Sequence, residues 1–160
     1  MHTAHEPAWL HGHPHEPNPR PPTADASFVL QVPQGAPLTV DLPTLQALPC
    51  ITVSNCYIVS TGHGASGPFA FAGARLLDLL NQFLPVNTPW QTVDVISADG
   101  FGTRLTPHDL QETDARPILL AYLLDGQALT RAQGLARLIV PSETDDALRQ
   151  VKWVKQIEVR

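Results

Sequence analysis

The residues best able to do chemistry lie between Cys56 and Gly67. Cys56 follows a β-branched run, and the loop Ser60–Pro68 (STGHGASGP) comes shortly after it. A cysteine thiolate is a soft, electron-rich nucleophile and metal ligand. His63 stands between Gly62 and Gly64, where an imidazole can line the same cleft as a hydrogen-bond donor or ligand. Gly62, Gly64 and Gly67, with Ser66, can turn backbone N–H groups toward an anion. Each feature also has a plainer account. A free cysteine after a strand is usually a small buried hydrophobe, a histidine between glycines lacks packing support, and a glycine-rich segment is often only a surface connection.

Other candidates are weaker. His2, His5, His11, His13 and His15 crowd the start of the chain; neutral imidazoles capture transition metals, but their spacing fits no closed site of fixed geometry. Arg104 flanks a hairpin and could reach an anion in a cleft, although a solvated or paired arginine is the simpler expectation. His108 reads as a surface residue, Tyr122 and Trp153 as core or half-buried anchors, and Glu143, Asp145 and Asp146 as solvated loop acids.

Composition narrows the function classes. At 160 residues, 43% hydrophobic and 16% charged, the chain suits one soluble domain with a real core. A net charge of −5, with only Lys152 and Lys155 beside eight arginines and no basic run, argues against a nucleic-acid partner. No apolar stretch is long enough to cross a bilayer, and the start lacks the pattern of a secretory signal. The expectation is a cytoplasmic protein in which Cys50 and Cys56 stay reduced.

Residues 1–26 are rich in proline, histidine and alanine, without hydrophobic periodicity, and are expected to be a disordered tail. Residues 27–160 are expected to form the domain. Phe28, Leu30 and Val32 alternate as a strand over 27–32, and Leu38–Val40 is a second extended piece. Asp41 caps a short helix over Leu42–Leu48, with Pro43 in its first turn. Ile51–Val53 resumes as strand, which Tyr57–Val59 prolongs. Leu76, Leu77, Leu79, Leu80 and Phe83 recur at helical spacing. Ala98-Asp99-Gly100 joins a hairpin, and Thr106-Pro107-His108-Asp109 has the order of a capped helix start. Strands follow at Ile118–Leu124 and Leu138–Val140, with Val151–Val159 closing the domain. The fold class is mixed α/β (α+β), with mostly antiparallel sheets and short peripheral helices.

The motifs Leu38–Pro49 (LTVDLPTLQALP), Phe71–Leu80 (FAGARLLDLL), Ser97–Leu110 (SADGFGTRLTPHDL), Ile118–Leu129 (ILLAYLLDGQAL), Arg137–Pro141 (RLIVP) and Val151–Val159 (VKWVKQIEV) run in one order over nearly all of 28–160. In that order and spacing the chain resembles the molybdopterin-binding domain of the sulfite-oxidase-like oxidoreductases. The resemblance implies packed sheets enclosing a molybdopterin cleft, and oxygen-atom transfer at a molybdenum that carries one cysteine thiolate. It places that catalytic, metal-binding cysteine at Cys56, with Cys50 too early beside Pro49. It implies a small-molecule substrate and, with no haem region in the chain, a separate electron-transfer partner. For the cofactor it leaves Gly62, His63, Gly64, Ser66, Arg75 and Arg104 as binding candidates, with Arg149 and Lys152 as further cations for a pterin phosphate.

The chain departs from the family pattern at Phe71, where a tryptophan is usual, and at the acidic segment Ser142–Gln150 (SETDDALRQ), in place of a glycine- and lysine-containing loop. Only a proline-rich tail stands where other members have further cofactor-walling sequence. The alternative function is therefore a non-catalytic module that keeps the fold without the molybdenum centre and binds a small ligand, a metal or a protein.

Overall fold

The computed structural model describes residues 25–60, 64–85, 87–111, 116–141 and 150–160. Residues 1–24 of the expected tail, Gly62, His63 and Arg149 lie outside the described residues, as do Glu143, Asp145 and Asp146.

Two five-stranded sheets make the fold. The first is formed by β1 (Phe28–Gln31), β2 (Leu38–Val40), β5 (Val93–Ser97), β6 (Gly102–Leu105) and β10 (Val154–Val159), in the order β2-β1-β10-β5-β6. The second runs β3 (Cys50–Ser60), β4 (Gly64–Arg75), β7 (Leu119–Leu124), β8 (Gln127–Ala128), with β9 (Arg137–Ile139) also pairing with β7. Pairing is antiparallel except between β1 and β10. Three short helices lie between strands: α1 (Leu42–Gln46), α2 (Leu76–Phe83) and α3 (Pro107–Gln111).

Local chemistry explains the helix boundaries. Asp41 accepts from the Thr44 amide at 3.0 Å and from its hydroxyl at 2.6 Å, so the cap stands where the sequence puts it. Thr106 and Asp109 bond reciprocally: the Thr106 amide donates to Asp109 Oδ2 at 2.8 Å, and the Asp109 amide to Thr106 Oγ1 at 3.3 Å. Asp125 and Gly126, both at positive φ, make the tight β7–β8 turn.

Two expectations need correction. Residues 64–68 are not loop: Gly64–Arg75 is one long strand paired with β3, and the Ser60–Gly64 pair closes a hairpin. The closing strand begins only at Val154, because Trp153 sits at φ 49°, and Val151 makes an isolated bridge to Leu138.

Alternation along β7 and β9 divides the buried residues between two faces of the second sheet. Leu120, Tyr122, Leu138 and Val140 join the main core, together with α2 and the first sheet. Leu119, Ala121 and Ile139 face the other way and form a second cluster with Val53, Cys56, Phe71 and Leu129. That second face holds the candidate chemistry. Glycine matters at one close approach beneath it: a Cβ on Gly73 would run into the Leu120 carbonyl oxygen of β7.

Candidate functional site

Cys56 reaches the second cluster through an irregularity in β3. Val53 pairs with Phe71 and Cys56 with Phe69, so the register shifts across Ser54 and Asn55. In a regular strand residues three apart face opposite sides. Here one extra residue resets the alternation, and Val53 and Cys56 are both buried while Thr52, Ser54, Asn55 and Tyr57 are exposed. Asn55 takes up the kink in the left-handed region, at φ 57°, a conformation asparagine tolerates.

The Cys56 thiol is 3% exposed and donates to the Val53 carbonyl at 3.4 Å. Burial pushes its pKa up; the Arg116 guanidinium and the Phe71 backbone N–H oppose that by favouring the thiolate. Arg116 also donates Nη1 to the Ser54 carbonyl at 2.8 Å and Nη2 to the Asn55 carbonyl at 3.2 Å. On the opposing strand, Gly67 has φ 133°, and a Cβ there would lie 2.7 Å from the Cys56 carbonyl oxygen. Glycine is therefore required where β4 crosses behind the cysteine.

Across the same sheet face lies Arg137. Ala121 pairs with Gly73 on one side and Arg137 on the other, so β3, β4, β7 and β9 carry Cys56, Phe71, Ala121 and Arg137 in lateral order. Three strand spacings span about 14 Å. Arg137 is 4% exposed, its guanidinium lies over the Phe71 ring at 5.7 Å from the centroid, and Nη1 donates to the Gln133 carbonyl at 3.3 Å. Its buried Nε has no hydrogen-bond partner. Burial pushes this guanidinium down to about 10. Lys152 stands close enough that burial and then the charge of Arg137 lower its pKa, with Asp99 opposing, and its Nζ lies 5.0 Å from the Trp153 ring centroid. Two neighbouring cations, one buried with an unused donor, are what an anionic group needs.

The structure brings Cys56, Phe71 and Arg137 onto one face, but not the other arginines expected there. Arg75, at the far end of β4, is six residues beyond Phe69, or about 20 Å along the strand. It holds Asp78 through Nε at 3.0 Å and Nη2 at 3.1 Å. Arg104 belongs to the first sheet and clasps Asp94 at 2.6 and 3.0 Å. Both side chains are engaged by carboxylates, one nearby in sequence and one across a hairpin. Gly64 and Ser66 lie in the backbone of β4, near the hairpin end. Arg116 and Arg137 escaped notice as site residues. Arg137 left a signal, a lone charge in the apolar run Leu135–Val140; Arg116 left none, because its carbonyl partners are 61 and 62 residues away.

Among the described residues no group of three or more histidines, cysteines or acids could hold a metal by itself, and no helix is long and apolar enough to cross a membrane. A family model described as the oxidoreductase molybdopterin binding domain matches residues 18–160. Among solved structures, the sulfane dehydrogenase SoxCD from Paracoccus pantotrophus is similar over 83% of this chain, with a TM-score of 0.66 and 19% identity. The chain spans 37% of that protein's chain, and at this identity the likeness shows the fold alone. No curated protein matches.

Proposed function

Because the chain belongs to the oxidoreductase molybdopterin-binding domain family, we propose that it holds a molybdopterin across the outer face of its second sheet, with Cys56 as the thiolate ligand of molybdenum. The observation that carries this reading is the buried Arg137 Nε without a partner, on the face that also carries Cys56. A buried guanidinium with an unused donor favours a partner for that donor, and a bound anionic group would supply one. A pterin phosphate fits this requirement, with Lys152 as the second cation.

When bound, such a cofactor supplies two-electron chemistry and oxygen-atom transfer to a small-molecule substrate. The chain's own residues do the holding. Cys56 contributes a thiolate once its hydrogen bond to Val53 is given up, and the Phe71 N–H and Arg116 favour that charged form. The surrounding Val53, Leu119, Ala121, Leu129 and Ile139 exclude water from the sulfur. Electrons leave to, or arrive from, a separate partner, in a cytoplasmic setting that keeps Cys50 and Cys56 reduced.

One observation favours the second reading, a binding module without a metal centre: the Cys56 thiol is buried and already satisfied by a backbone carbonyl, as in a structural cysteine. Metal analysis of wild-type protein and Cys56→Ser, both from a host that makes the cofactor, separates the two. Molybdenum in the wild type and its loss in the variant support the first; wild-type protein without molybdenum supports the second.

A further inference from the structure

Arg116 lies at the start of the segment leading into β7 and reaches back to a strand on the far side of β4. Pro117 and buried Ile118 follow it, which fixes the direction of approach. Its two donors close on consecutive carbonyls, those of Ser54 and Asn55. Those carbonyls belong to the bulge whose extra residue decides which way Cys56 faces.

Among the described residues β3 pairs with β4 alone and forms one edge of its sheet. Besides β4, the described contacts to its backbone come from side chains, Gln150 Nε2 to the Tyr57 carbonyl at 3.5 Å and Arg116 to the two bulge carbonyls, and a strand slip of one residue exchanges the two faces. With the bulge moved, Cys56 would fall in phase with exposed Thr52 and Ser54.

We propose that Arg116 is the positioning residue of Cys56: by clasping the Ser54 and Asn55 carbonyls it pins the bulge that turns the thiol onto the face shared with Phe71 and Arg137. This rests on the reading of Cys56 as the metal-binding thiol, but its mechanical part concerns the chain alone. Methionine at this position keeps the aliphatic stem and removes the donors. Lysine keeps the charge and one donor direction, without the fork that spans two carbonyls.

The test uses the full chain free of metal, as wild type, Arg116→Met and Arg116→Lys. Labelling of Cys56 by neutral iodoacetamide is followed by peptide mass, with exposed Cys50 as the internal reference, and hydrogen exchange is followed over residues 50–57. Arg116→Met should raise Cys56 labelling relative to Cys50 by about tenfold or more, with faster exchange confined to 50–57. Losing the positive charge by itself would slow the thiol, so a rise reports exposure. Arg116→Lys should fall between wild type and Arg116→Met, and it carries the test should the methionine variant not fold. Cys56 labelling within about twofold of wild type in both variants overturns the proposal, as does a lysine variant indistinguishable from the methionine one. Molybdenum content is measured separately: wild-type protein without molybdenum would sink the functional reading, while the labelling result still decides the role of Arg116.

Discussion

Replacing Arg137 with methionine asks whether this arginine is held for an anion or for the fold. Burial brings its pKa from the ordinary arginine range down to about 10. At about 1.4 kcal/mol for each tenfold change in proton affinity, keeping it charged costs on the order of 3 kcal/mol. The folded state disfavours the cation, so the cost is present at every pH below about 10 and fades only as pH rises beyond it toward the ordinary arginine range. Against it stand a hydrogen bond to the Gln133 carbonyl at 3.3 Å, about 1 kcal/mol, and a desolvated contact with the Phe71 ring, about 1–2 kcal/mol. The two sides nearly cancel. Metal-free Arg137→Met should therefore lie within about 1 kcal/mol of wild type by denaturant unfolding at pH 7, or about 2–4 °C in Tm. Phosphate should stabilise the wild type beyond an equal ionic strength of chloride. For a dissociation constant near 1 mM, 100 mM phosphate adds about 2.7 kcal/mol. The variant should show no such increment. A loss of about 3–5 kcal/mol in Arg137→Met, the usual cost of breaking a compensated buried pair, with no phosphate effect in wild type, would refute the reasoning.

Two further predictions concern the fold that carries the site. Asp94 is 1% exposed and receives Arg104 at 2.6 Å and Arg160 at 3.0 Å; Asp94→Ala leaves Arg104 half-covered without that carboxylate, and should lower unfolding free energy by about 2–4 kcal/mol in denaturant titration. Tyr122 is raised to about 12 by burial, and then by its neighbour Cys50, through a hydrogen bond and the negative charge of a thiolate there. Its folded pKa lies above the ordinary 10, so its contribution is complete below pH 10 and is lost progressively toward pH 12. Unfolding curves at pH 9 and pH 11 should show a fall in stability that Tyr122→Phe diminishes.

Where the chain was legible from sequence, the governing interactions were local. The caps at Asp41 and Thr106, the turns at Asp99-Gly100 and Asp125-Gly126, and the apolar stripe of α2 all involve residues within a few positions of one another. Cys56 was singled out, but not the reason it faces inward, because a bulge at Ser54-Asn55 leaves almost no mark in a polar, β-branched stretch. The glycines of 62–67 suggested an anion loop, whereas Gly67 serves the close crossing of β4 behind Cys56. Arg75 and Arg104 looked available because Asp78 and Asp94 could not be matched to them without geometry. Arg137 reaches this face through strand pairing and Arg116 through side-chain bonds to carbonyls far away in sequence, which no periodicity reports.

Cys56 is proposed to bind the molybdenum of a molybdopterin held on this sheet face. The most direct measurement of this is elemental analysis of the full chain purified from a cofactor-producing host, beside Cys56→Ser prepared identically. Wild-type chain should carry molybdenum in stoichiometric proportion, with visible absorption, and the serine variant should lose both. Wild-type protein with molybdenum no higher than background, or a serine variant that keeps its full molybdenum content and spectrum, would contradict it.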